Sequence, residues 1–100
     1  MVKHIILWNL KDEFSMKEKE KIKAGIKEGL EGLMGKIPGL TEIKVQTTSL
    51  PSSNAEVMLD STFESEEALK GYAIHPEHVY VADTFVRPFT SARSCLDFEI

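Results

Sequence analysis

Four side chains in this sequence have the types and spacing for proton chemistry: His4, Tyr72, His75 and His78. A neutral imidazole in an apolar cavity is a good general base, because it titrates near neutral pH. A tyrosine hydroxyl beside it can hold a substrate oxygen or a developing enolate. Tyr72, His75 and His78 are three residues apart around Ile74-His75-Pro76-Glu77-His78, a spacing that turns helical side chains toward a common side. Each residue also has a purely structural reading. His75 before Pro76 can cap a helix, His4 can be a hydrogen-bonded core histidine, and Tyr72 can bury its ring and wet its hydroxyl.

Other chemistries lack their motifs. There is no phosphate-binding glycine loop, no Gly-x-Ser-x-Gly elbow and no Cys-x-x-Cys. A metal site built from His4, His75 and His78 would require distant side chains to converge, and none is expected. Magnesium held by carbonyls and carboxylates at a subunit boundary is the one cofactor the residues leave open. Cys95 has Arg93 as its only basic sequence neighbour and reads as an unreactive thiol.

The elements that must position these residues follow from periodicity. Val2 to Leu10 predicts a first strand on which His4, Ile6, Trp8 and Leu10 share one side and Ile5 and Leu7 the other, both sides apolar as in a central strand. Ser15 with Glu18 predicts a capping box. Ile22, Ile26, Leu30, Leu33, Met34 and Ile37 continue a helix that Pro38-Gly39 ends. Gly25, Gly29 and Gly32 lie along it, which calls for close contact with a neighbour or room for a ligand. Ile43, Val45 and Thr47 predict a second strand, residues 49–54 a hairpin loop, and Val57, Leu59 and Phe63 the buried side of a third. Ser65 caps a helix carrying Leu69, Tyr72 and Ala73, which Pro76 breaks before a further apolar stretch through Val86. Leu96, Phe98 and Ile100 alternate with Cys95, Asp97 and Glu99 in a last strand.

This order, strand-helix-strand-strand-helix-strand, is the split βαβ plan: an α+β, ferredoxin-like antiparallel four-stranded sheet with helices on one face. One domain over residues 1–100 is expected, without repeats or linkers. Helices on one side leave the other side of the sheet bare, and a two-fold homodimer with sheet facing sheet, a barrel across two subunits, is the commonest cover.

The chain has 100 residues, 42% of them hydrophobic, and a formal net charge of −4. An acidic balance argues against a nucleic-acid partner, and the lysines between residues 17 and 27 alternate with glutamates as on a solvated helix face. A single cysteine fits a reducing compartment. The apolar start is interrupted by Asn9 and followed by Lys11, Asp12 and Glu13, unlike a signal peptide, and no apolar run is long enough for a membrane span. A cytoplasmic protein is expected.

Lys3-His4-Ile5-Ile6-Leu7, Thr62-Phe63-Glu64-Ser65, Tyr72-Ala73-Ile74-His75-Pro76-Glu77-His78 and Asp97-Phe98-Glu99 together resemble the stress-responsive A/B barrel (Dabb) family. The resemblance runs in order over nearly the whole chain, and the Tyr-x-x-His-Pro-x-His segment is its most specific piece. It implies a homodimeric barrel. One branch of the family contains polyketide cyclases, typified by olivetolic acid cyclase. Carried over, it implies His78 and Tyr72 as a catalytic pair, with His78 taking a proton from the substrate's activated carbon and Tyr72 orienting it. His4, Ile6, Trp8 and His75 are then the candidate substrate contacts. Trp8 and Val57 depart from the cyclase branch, the first by bulk and the second by replacing a polar histidine; both count against a polyketide.

Four functions compete on these grounds. The first is a stress-related dimer binding a small apolar or aromatic metabolite between sheet and helices, with no established reaction. The second is an acid–base enzyme of the cyclase type. The third is an assembly or protective protein, and the fourth a haem- or oxygen-using monooxygenase of the related barrel type.

Overall fold

Alternation along the first segment becomes strand β1, Val2–Leu10, whose odd-even burial sends Val2, His4, Ile6, Trp8 and Leu10 inward. The computed structural model describes all residues, Met1–Ile100. Helix α1, Met16–Glu31, starts at Ser15, where the expected capping box forms. The Glu18 amide donates to Ser15 Oγ at 3.1 Å and the Ser15 amide to Glu18 Oε1 at 2.9 Å, which holds the Glu18 carboxyl below its ordinary range. Strands β2, Leu40–Gln46, and β3, Val57–Phe63, form the hairpin. Helix α2, Glu66–Ile74, is capped by Ser65 and followed by α3, Pro76–Val81. A π-helical turn, Ala82–Val86, leads to β4, Thr90–Glu99.

The sheet order is β2-β3-β1-β4, every neighbouring pair antiparallel, which is the ferredoxin-like arrangement. No helix is long and apolar enough to cross a membrane.

The structure departs from the sequence expectation at three boundaries. Helix α1 ends at Glu31 instead of reaching Pro38, because Gly32 caps it and the chain passes through a turn in which Gly35 adopts φ +86°; Leu33 and Ile37 are buried from that turn all the same. Strand β2 ends at Gln46, leaving Thr47 outside. Strand β4 begins at Thr90, earlier than its apolar alternation suggests, because it is an exposed edge whose first half needs no buried face.

Gly39 marks where the chain must turn tightly, at φ +81°, and a Cβ there would lie 2.5 Å from Ala68 Cβ of α2. The glycines of α1 answer to contact with a neighbour: a Cβ on Gly29 would lie 3.0 Å from Val81 and 3.1 Å from Phe85. The helix thus lies close on α3 and the π-turn.

Helices α1 and α2 bury the inner sheet face in a single apolar cluster that runs from Ile6 and Leu59 to Ile26, Leu30 and Phe63. The outer face carries Ile5, Leu7, Met58, Leu96 and Phe98, as the strand register dictates. In the single chain Leu7 is 39% exposed, Phe98 41% and Leu96 63%. The free edge of β2 is blocked by α1: the Val45 amide donates to Glu31 Oε2 and Lys27 Nζ donates to the Val45 carbonyl, each at 2.9 Å. Pairing that edge with a side-chain clamp discourages strand addition there.

Candidate functional site

The break at Pro76 builds one wall of the site. Proline has no amide to donate and its fixed φ suits the first turn of a helix, so α2 stops at His75 and α3 starts immediately after it. The His75 ring accepts from the Glu77 amide through Nδ1 at 3.1 Å, which makes it the N-cap of α3. This position takes His75 out of the site: it is absent from the lining of the cavity described next.

Between the inner sheet face and α2, α3 and the π-turn lies a cavity of about 660 Å³. Its wall includes five of the six expected side chains, His4, Ile6 and Trp8 from β1 and Tyr72 and His78 from the helices. Twelve of its 21 lining residues are hydrophobic, so the wall suits an apolar body, while Lys70, Arg87, Arg93 and Glu66 bring charge to it. The three histidines therefore do not converge, but two of them share one cavity.

Tyr72 sits at the centre. It is 2% exposed, its ring 4.9 Å from that of Phe63, 4.0 Å from that of His78 and 5.9 Å from that of His4. Its hydroxyl is buried without any hydrogen-bond partner. Burial pushes the phenol well above its ordinary range, against a smaller opposite pull from Arg93; it stays protonated and able to donate.

His78 Nδ1 lies 3.4 Å from the Ala73 carbonyl. A carbonyl only accepts, so this contact keeps the proton on Nδ1 and leaves the lone pair on Nε2. Burial lowers the imidazole's pKa below its ordinary value, the Ala73 carbonyl opposes this, and the nearby Arg87 guanidinium adds to the lowering. His78 is thus a neutral base at pH 7.

His4 is 8% exposed and stands opposite Asp97 in the β1–β4 register, with Nδ1 2.5 Å from Asp97 Oδ1. Cys95, two residues before Asp97 on the same side of β4, brings Sγ to 3.9 Å from His4 Nδ1 and 3.6 Å from Asp97 Oδ1. Burial and the Asp97 carboxylate raise the Cys95 thiol above its ordinary range. The sequence reading missed Asp97. Its signal was the spacing Cys95-x-Asp97 on a last strand, which becomes informative only once that strand is paired with the first.

The arrangement defines a ferredoxin-like α+β subunit with a histidine- and tyrosine-lined cavity. The chain belongs to the stress-responsive A/B barrel domain family, whose family model matches residues 2–100. A solved dimeric protein of unknown function and ferredoxin-like fold from Bacteroides fragilis is 33% identical, with a TM-score of 0.92, covering 99% of this chain and 95% of that one. A protein from Arabidopsis thaliana is 26% identical, with a TM-score of 0.74 and coverage of 100% and 95%. A hydroxynitrile lyase from Passiflora edulis shares the fold at 23% identity and a TM-score of 0.73, covering 99% of this chain and 92% of that one. No protein of curated function matches the chain.

Proposed function

We propose that this protein is a homodimer, joined through the bare sheet face, whose subunits each bind a small apolar or aromatic molecule carrying a hydroxyl or carbonyl oxygen. The observation that carries the reading is the Tyr72 hydroxyl, buried without a partner beside a largely apolar cavity. An unpaired buried hydroxyl is unfavourable by roughly 1–3 kcal/mol, and a ligand oxygen would relieve it. The exposed Leu7, Leu96 and Phe98 support the dimer, and the Bacteroides fragilis relative is described as dimeric. The partners in this reading are a second copy and a small molecule, with neither nucleic acid nor membrane. Its setting is cytoplasmic, on the ground that Cys95 has no second cysteine in the chain to pair with. No cofactor is needed for binding of this kind. An open cavity of this size also favours binding over a role in assembly alone.

The test is calorimetric titration with a panel of alkylphenols and aromatic ketones, alongside sedimentation of the free protein. Saturable binding by a two-chain species is expected, with Tyr72→Phe weakening it by roughly 5–10-fold, as for one lost hydrogen bond. Equal affinity in Tyr72→Phe, or a monomer at micromolar concentration, would count against the reading.

The free Nε2 of His78 favours a second reading, an acid–base enzyme in which His78 removes a proton from carbon and Tyr72 holds the adjoining oxygen. The Passiflora edulis neighbour is described as a lyase, though a shared fold transfers no reaction. Under this reading His78→Ala and Tyr72→Phe each abolish turnover of a candidate β-polyketide while the dimer persists; unchanged rates would eliminate it.

A further inference from the structure

The cluster at the β4 side of the cavity is not used by either reading. His4, Cys95 and Asp97 each offer one donor atom, and the three atoms lie within 4.8 Å of one another. We propose that His4 Nδ1, Cys95 Sγ and Asp97 Oδ1 form a three-ligand site for a divalent transition metal of the zinc type, with a fourth position open to the cavity.

The edges of the cluster support this. Ordinary zinc bond lengths in a tetrahedron put neighbouring donor atoms about 3.4–3.6 Å apart. The sulfur-to-carboxylate edge is 3.6 Å and the sulfur-to-imidazole edge 3.9 Å, close to that geometry before any ion binds. Only the 2.5 Å edge between His4 Nδ1 and Asp97 Oδ1 must open, to about 3.4 Å. The carboxylate is partly exposed on an edge strand, so its side chain has room to shift.

The same distances argue against a nucleophilic cysteine. A Cys-His-Asp relay needs the thiol on one ring nitrogen and the carboxylate on the other, yet here both approach Nδ1. Three donors converging on a single point, one of them sulfur, suit an ion. The thiol also selects among ions, since magnesium prefers oxygen while thiolate with imidazole suits zinc or cobalt. On binding, the Cys95 S–H bond breaks, its proton goes to solvent and the thiolate joins the metal; the His4 ring proton moves to Nε2. Tyr72, whose hydroxyl has no partner, lines the same cavity as His4, Cys95 and Asp97.

The site goes beyond the proposed function and is tested without any organic ligand, using metal chloride alone. Cobalt(II) added to the full chain under reducing conditions should give a thiolate-to-metal charge-transfer band that saturates at one ion per chain. Cys95→Ser should abolish the band. Asp97→Asn should weaken zinc binding at least about tenfold, while His75→Gln, at the exposed cap, should bind as the parent does. Cys95 and Asp97 sit on an exposed strand, so both variants should keep the parent circular dichroism. Absence of the band, or zinc affinity unchanged in Cys95→Ser and Asp97→Asn, overturns the proposal.

Discussion

His4 and Asp97 face each other across the β1–β4 pair, and their side chains meet with Nδ1 2.5 Å from Oδ1. A carboxylate only accepts, so it holds the ring proton on Nδ1 and leaves Nε2 an acceptor. Asp97→Ala should release this tautomer. Nitrogen-15 imidazole spectra at pH 8 should show His4 with Nδ1 protonated in the parent and with a rising Nε2-protonated population in the variant. With Asp97 partly exposed, the stability loss should stay near 1 kcal/mol.

Tyr72→Phe should stabilise the unliganded protein. The hydroxyl has no partner and its carbon frame is fully packed, so deleting the oxygen removes a desolvation penalty of about 1 kcal/mol and keeps the ring contacts. For a domain of this size that is a rise in melting temperature of about 4–8 °C. A fall in melting temperature would mean that the hydroxyl has a partner.

Stability should fall as the solution is acidified through the ordinary histidine range, and His78 should be one source. Its folded-state pKa is lowered, chiefly by burial. Above about pH 6.5 both states are neutral there and the residue contributes nothing to the slope; below it the unfolded chain takes up a proton that the folded chain resists, so folding weakens. Urea midpoints measured at pH 7.5 and 5.5 should differ by less in His78→Gln than in the parent.

Gly39→Ala should cost more than Gly35→Ala. Both glycines have positive φ, but a Cβ at position 39 meets Ala68 at 2.5 Å whereas nothing lies within 4 Å of one at position 35. The Gly35 substitution carries backbone strain alone, about 1–2 kcal/mol. The Gly39 substitution adds a clash between the turn before β2 and Ala68 of α2, a further loss on the order of 1–3 kcal/mol. Equal denaturant midpoints for the two variants would refute the clash.

Much of the frame was legible because local rules set it. The Ser15–Glu18 box, the Ser65 cap and the Pro76 break each depend on neighbours within four residues, and all three form as their spacing predicts. The alternation of β1 was readable for the same reason, since its two apolar faces follow from a period of two. The end of α1 was less so: Leu33 and Ile37 keep helical spacing and stay buried, so the pattern could not reveal that the chain leaves the helix at Gly32.

The site divides along the same line. From sequence alone came the Tyr72–His78 spacing and the side of β1 on which His4, Ile6 and Trp8 lie, because helical and strand periods act over a few residues. Tertiary structure alone decided that His75 turns away as a cap, that Tyr72 is left with an unpartnered hydroxyl, and that Asp97 and Cys95 reach His4 from the far end of the chain. Those outcomes depend on antiparallel pairing of the first strand with the last, a contact between residues more than 90 positions apart that no local period encodes.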